Sequence, residues 1–121
     1  WSSQYAGLIS SSTAAATYRI NWNNGNTQRF ILNQNTTFVI DATSSNPVDG
    51  GKYSIKICQD PTGSRTVGWD DPGRLNWWNG TTSITSTASR GTWIGMIYDG
   101  RTQRYDIVAS STNLRPEACL P

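Results

Sequence analysis

Apolar and polar positions alternate through most of this chain with the two-residue period of half-buried β-strands. Tyr18, Ile20 and Trp22 fall on one side of residues 17–22, and Arg19 and Asn21 on the other. Asn23-Asn24-Gly25-Asn26 follows, and Asn-Gly predicts a hairpin because both residues accept positive φ. A return strand is expected over residues 27–32, a turn at Asn33-Gln34-Asn35, and a third strand over 36–40 with Thr36, Phe38 and Ile40 inward. Residues 42–51 hold Ser44-Ser45-Asn46-Pro47 and Asp49-Gly50-Gly51, which is loop chemistry.

The richest pattern lies in residues 51–78. Tyr53, Ile55 and Ile57 alternate with Ser54, Lys56 and Cys58. Gln59-Asp60-Pro61-Thr62-Gly63-Ser64 then reads as a turn, with proline presetting φ and glycine supplying positive φ. Residues 65–69 read as a return strand, and Asp70-Asp71-Pro72-Gly73 reverses the chain before Leu75-Asn76-Trp77-Trp78. The expectation is a β-meander with aromatics at its corners. Asn79-Gly80 predicts a further turn, followed by a short polar strand over 81–85 around Ile84 and a loop over 86–91. In residues 92–98, Ile94, Met96 and Tyr98 face one way and Trp93 and Ile97 the other, so this strand is expected to be covered on both sides. Asp99-Gly100 closes a hairpin to residues 104–109, where Tyr105, Ile107 and Ala109 alternate with Arg104, Asp106 and Val108.

Two stretches lack a period. Residues 1–16, rich in Ser and Ala, read as an N-terminal arm or linker, and residues 110–121 as a C-terminal tail. The domain proper is expected over 17–109. About eight or nine short strands with turns between them indicate an all-β sandwich or barrel, and no stretch has the period of an amphipathic helix.

Composition narrows the chemistry. The chain of 121 residues is sized for one domain. Charged residues make up 15%, and the formal net charge of +2 comes from basic residues scattered among acids. That argues against binding nucleic acid or an anionic membrane. No apolar run is long enough for a membrane span or a signal-peptide core, and the polar composition suits a surface-exposed or extracellular domain. There is no histidine, which removes the usual general base and the commonest metal ligand. No metal, cofactor or catalytic residue is therefore expected. Asp70 and Asp71 are neighbours in a turn, whereas a glycosidase needs two carboxylates about 5 to 10 Å apart across a cleft. Asn23, Asn24 and Asn26 lack the carboxylates of a calcium loop. Asn35-Thr36-Thr37 and Asn79-Gly80-Thr81 match an N-glycosylation pattern, but turn geometry explains both.

Cys58 and Cys119 lie too far apart in sequence for a CxxC motif. Cys58 falls on the polar face of its strand, where a C-terminal tail could meet it. Either the two are bonded, closing a loop worth about 4 kcal/mol in the chain-entropy treatment, or both remain thiols.

The order of these pieces resembles a small β-sandwich domain of bacteriophage virion proteins, found in tail fibres, baseplates and head decorations. The likeness spans residues 17–109. It begins with Ile20-Asn21-Trp22-Asn23-Asn24-Gly25-Asn26-Thr27-Gln28 and the Asn33-Gln34-Asn35-Thr36-Thr37 element. It is strongest from Gly51 to Trp69, close to G-x-Y-x-I-x-I-x-Q-D-x-T-G-S-R-T-V-T-W, and continues at Trp78-Asn79-Gly80-Thr81 and Met96-Ile97-Tyr98-Asp99-Gly100. Asp70 stands where the pattern usually has proline, delayed here to Pro72, and an acidic residue often found near Thr92 is missing. The resemblance implies a single all-β sandwich of jelly-roll type, built of about eight or nine short antiparallel strands. It also implies a non-enzymatic structural module on the surface of a virion, a fibre or decoration domain that associates with other virion proteins and commonly forms a homotrimer.

Two sets of residues become candidates. Trp1 and Tyr5 on the arm, with Trp93 and Ile97 on the two-sided strand, are candidates for oligomer contacts. Trp69, Trp77 and Trp78 sit at or beside turns, where an indole can stack on a sugar while Arg74, Asn76 and Asn79 bond its hydroxyls. This corner would serve the alternative function, host-surface glycan binding. The competing reading is that these indoles fill the end of the sandwich.

Overall fold

The computed structural model describes residues 9–13, 16–76 and 84–119. Short alternating runs punctuated by Asn, Gly and Pro can bury one face only by layering, and here they form nine strands in two sheets. These are β1 (Ile9–Thr13), β2 (Thr17–Arg19), β3 (Thr27–Leu32), β4 (Thr36–Val39), β5 (Lys52–Gln59), β6 (Val67–Trp69), β7 (Leu75–Asn76), β8 (Gly91–Asp99) and β9 (Arg104–Leu114), with 3-10 turns at Trp22–Asn24, Pro72–Arg74 and Pro116–Cys119. The larger sheet runs β1-β3-β5-β8-β9-β7 and the smaller β2-β4-β6.

The connectivity differs from the antiparallel order expected of a jelly roll. Among the described residues the pairs β1–β3, β3–β5, β2–β4, β4–β6 and β7–β9 are parallel, and only β5–β8 and β8–β9 are antiparallel. The first six strands alternate between the sheets, so the chain winds around the core, and each pass adds one strand to each layer. Parallel neighbours need a crossover, and the crossover here is the strand in the opposite sheet. The Asn23–Asn26 turn is therefore a corner between layers. Likewise β5 and β6 do not form a meander, since β5 pairs with β3 and β8 while β6 pairs with β4. Asp99-Gly100 does close an antiparallel hairpin, with Asp99 opposite Arg104.

Strands also run through the two stretches without a period. Ile9–Thr13 pairs with β3, and β9 continues to Leu114, with Ser110 opposite Ile94 and Ser111 opposite Trp93. Serine runs carry no alternation to read, and these segments are ordered by backbone pairing. Ile84, expected at the centre of a short strand, packs partly buried against the core without one; residues 81–83 lie outside the described residues.

Facing side chains fill the space between the layers. Phe30, Phe38 and Trp69 are buried, with Phe30–Phe38 centroids 5.0 Å apart and Phe38–Trp69 5.6 Å, and Tyr18 packs edge-on to Phe30 at 4.9 Å. A second aromatic group joins Trp22, stacked on Tyr53 at 4.4 Å, to Tyr105 and Tyr98. Its polar atoms are paired: Trp22 Nε1 donates to Tyr105 Oη (3.0 Å), and Tyr105 Oη donates to the Asp41 carbonyl (3.2 Å). Burial pushes the Tyr105 hydroxyl pKa upward, so it stays a neutral donor.

Three corners of the winding are held by polar side chains. Between β2 and β3, the buried Gln28 amide donates to the carbonyls of Asn21 (2.8 Å) and Gly25 (3.0 Å). Between β4 and β5, Asp41 Oδ1 accepts from the amides of Thr43 (3.1 Å) and Ser45 (2.9 Å), and its Oδ2 pairs with Arg19 at 3.1 Å. Between β5 and β6, Gln59 donates to the carbonyls of Arg65 and Thr85 and accepts from Arg65 N, while Asp60 Oδ1 accepts from Gly63 N (3.0 Å). Gln59 and Asp60 thus tie the backbone of this turn with their side chains. Gly63 has φ +72, and a Cβ there would lie 2.8 Å from Ala88 N, so both conformation and space require glycine. A hydrogen bond from the Arg65 guanidinium is the main reason the Asp60 pKa lies below the usual carboxylate range.

Cys58 and Cys119 are bonded, with Cα atoms 5.8 Å apart. The bond ties the end of β5 to the last 3-10 turn across Gly91, where a Cβ would lie 2.7 Å from Cys119 Sγ. It closes a loop with a sequence separation of 61. Replacing both cysteines by alanine is expected to cost up to about 4 kcal/mol, read as a lower urea midpoint; an unchanged midpoint would remove the bond from the account of stability.

Asp41 makes stability depend on pH. Partial burial opposes its ionisation, but the Ser44 hydroxyl and the amides of Ser45, Thr43 and Ser44 overcome this and lower its pKa to about 2. A depressed folded-state pKa adds stability above the unfolded value, here about 4, which disappears as pH falls through the folded value. Between about pH 4 and pH 2 the wild type is expected to lose on the order of 1–2 kcal/mol that Asp41→Asn does not lose. Parallel denaturation curves for the two proteins across that range would contradict this.

Candidate functional site

Residues 70–74 connect β6 to β7, the neighbour of β9, and their acids are used by the backbone. Asp70 Oδ1 accepts from Ile40 N (3.1 Å), which joins the corner to the end of β4. Asp71 Oδ1 accepts from Gly73 N (3.1 Å) and its Oδ2 lies 3.6 Å from Arg74 Nε. Both carboxylates thus serve the turn, as neighbouring acids before Pro-Gly are expected to do.

The sugar-stacking set proposed for this corner does not come together as an exposed surface in its described part. Trp69 is 8% exposed and packs on Phe38, which makes it core. Arg74 Nη1 donates to the Gln103 carbonyl at 3.4 Å, and Asn76 Nδ2 donates to Asp106 Oδ1 at 2.9 Å. These bonds fasten β7 to the start of β9. Arg74 Nε is shielded from solvent and has no hydrogen-bond partner among the described residues. Trp77, Trp78 and Asn79 lie outside the described residues, as do Trp1 and Tyr5 of the arm.

The remaining two candidates stand on the outer face of the larger sheet. Trp93 and Ile97 alternate along β8 with the buried Ile94, Met96 and Tyr98 and are half-buried. Ile97 sits opposite Lys52 on β5 and Asp106 on β9. The exposed Val108 lies two residues further along β9 from Asp106, at the register shift between β8 and β9, so these two apolar residues stand beside charges of opposite sign, Lys52 and Asp106.

At the other end, register builds a row that the sequence does not display. Arg29 on β3 is opposite Lys56 on β5, Lys56 is opposite Trp93 on β8, and Trp93 is opposite Ser111 on β9. The Lys56 ammonium stands 5.6 Å from the Trp93 ring centre. Burial, and then the neighbouring Arg29 charge, lower the Lys56 pKa. Beside the row is an open groove of about 270 Å³ lined by Ser54, Trp93, Gly95, Ala109, Ser110 and Ser111. The sequence signal was partial: alternation places Lys56 and Trp93 on outward faces, but their meeting depends on the pairing of β5 with β8.

Among the described residues, no group of three or more His, Cys, Asp or Glu side chains could hold a metal, and no helix is long and apolar enough to cross a membrane. The arrangement offers binding surfaces, scaffold turns and a wound core.

Comparison with known proteins returned one finding. Searches of curated proteins and of solved structures each gave no significant match. The family model described as "Putative phage tail fibre C-terminal domain" matches residues 10–103, which run from β1 to the turn before β9 and cover well over half of the chain. With that span matched, the chain belongs to the phage tail fibre C-terminal domain family.

Proposed function

We propose that the chain is a non-enzymatic structural module of a phage tail fibre, exposed at the virion surface and assembled with other virion proteins as a homotrimer. The observation that carries this reading, beyond the family itself, is the winding. β1 and β2 are the end strands of their two sheets, so the first coil presents both strand edges at one end of the stack. A strand edge is a template for further pairing, and a parallel two-layer stack can be extended there by chain of the same kind. Such a module suits a fibre, in which units succeed one another along an axis.

The trimer contact is assigned to Ile97 and its neighbour Val108 rather than to Trp93. Trp93 stands in a row with two cations, and three copies meeting there would bring like charges together. Sedimentation equilibrium is expected to give three times the 13.3 kDa chain mass, and Ile97→Asp with Val108→Asp to give the single-chain mass with the fold intact. A wild-type chain that sediments as a monomer at micromolar concentration overturns the trimer.

A second reading, binding of host-surface glycan at the Asp70 to Asn79 corner, is favoured by one observation, the exposure of Asp70, Asp71, Gly73 and Asn76 along its described part. With Trp69 buried and Asn76 engaged by Asp106, this reading falls to Trp77, Trp78 and Asn79. If it is right, Trp77→Ala together with Trp78→Ala abolishes signal on a bacterial-glycan array; binding at wild-type strength in that variant rejects it.

A further inference from the structure

We propose that the groove beside Trp93 on the outer face of the larger sheet is a binding site for an acidic saccharide, a polysaccharide segment bearing a uronic-acid residue. The proposed site is built from residues 54, 56, 93, 95 and 109–111. The fibre reading supplies its setting only, and binding in solution tests the groove without testing virion assembly.

The argument begins with shape. The groove of about 270 Å³ is floored by the small residues Gly95, Ala109, Ser110 and Ser111, and Trp93 and Ser54 also line it. Outward positions on a sheet ordinarily carry side chains that would fill such a space. Here Gly95 faces Ala109, and a Cβ built on Gly95 meets only Ala109, at 3.7 Å to its Cβ and 3.8 Å to its carbonyl oxygen. The floor is therefore low because its residues are small, and nothing behind it demands glycine. One wall is an indole, whose flat apolar face matches the C–H face of a pyranose ring. The serine hydroxyls offer short, adaptable donors and acceptors for the hydroxyl groups of a sugar.

Charge then selects among sugars. Lys56 and Arg29 continue the row outward from Trp93, one and two strands away, and neighbouring strands are about 4.8 Å apart. Lys56 is held over the indole and is already partly dehydrated, so less of its hydration is lost when an anion arrives. An anion that meets Lys56 while its ring lies in the groove must be carried directly on that ring. A uronate carboxylate satisfies this, whereas a phosphate on a flexible linker would be placed beyond the row.

The test uses the full chain and three probes, oligosaccharides of polygalacturonate, alginate and hyaluronate, with dextran oligomers of equal length as the neutral control. Isothermal titration is expected to show at least one uronate oligomer bound about tenfold or more tightly than dextran, a preference of about 1.4 kcal/mol. The preference should shrink with added salt, as exposed charge contacts do. Trp93→Ala is expected to weaken that oligomer about tenfold, and Lys56→Gln to weaken it several-fold and flatten the salt dependence. Gly95→Val raises the floor from a position where an added Cβ makes only ordinary contacts and should abolish binding with the fold intact, which keeps the test decisive if Trp93→Ala unfolds. Trp77→Ala with Trp78→Ala should leave binding unchanged. The proposal is overturned if no uronate oligomer binds, if dextran binds equally well, if Gly95→Val binds as the wild type does, or if Trp93→Ala dissociates the oligomer, which would make this face a contact between copies.

Discussion

Winding one chain through two layers imposes one requirement on everything else: at each crossing the backbone leaves one sheet's hydrogen-bond ladder before it reaches the other's. Groups left unpaired there and shielded from water would cost more than the burial of a few side chains returns. Gln28, Asp41, Gln59 and Asp60 answer that requirement at three of the crossings by bonding backbone groups there. Because each of these corners is closed by a side chain of fixed reach, the lengths of these crossings are set locally. The strands they deliver then stack in register with the coil before.

This division of labour explains where the aromatic side chains go. Phe30, Phe38 and Trp69 come from three different strands of two layers and meet only because the corners bring those strands over one another. Trp22, Tyr53 and Tyr105 meet at the end where β5 and β9 approach the Trp22–Asn24 turn; the Trp22 indole and Tyr105 hydroxyl are satisfied by each other and by the Asp41 carbonyl, and the Tyr53 hydroxyl accepts from Val48 N. The corner acid and the aromatic group are thus mechanically linked, since Asp41 supplies its carboxylate to the turn and its carbonyl to Tyr105. The outer face of the larger sheet, free of that duty, is left to differ along its length, with Lys52 and Asp106 flanking Ile97 at one end and the cations Arg29 and Lys56 beside Trp93 at the other.

Much of the local order was legible. The inward set of β5 and β8, the Asp99-Gly100 hairpin and the roles of Gln59, Asp60 and Gly63 follow from alternation and turn chemistry, which involve residues close in sequence. Strand partnership was not legible. Asn24-Gly25 has the composition of a hairpin turn, yet it is a corner, because a corner and a hairpin ask the same conformational freedom of their residues. Trp69 shows the same limit. Its place beside a turn fits both an exposed platform and a core position, and only the arrival of Phe38 from β4 makes it core.

The sequence by itself determined that the chain is mostly β with short strands, that it has no histidine chemistry, and that Gln59 to Ser64 form a turn. It did so because period, turn residues and composition act over a few neighbouring positions. The tertiary structure alone decided that the layers are wound in parallel, that Cys58 reaches Cys119, and that Arg29, Lys56 and Trp93 stand in one row beside an open groove. Those outcomes depend on register between strands far apart in the chain, and register is set by the total burial of two whole layers rather than by any stretch that can be read locally.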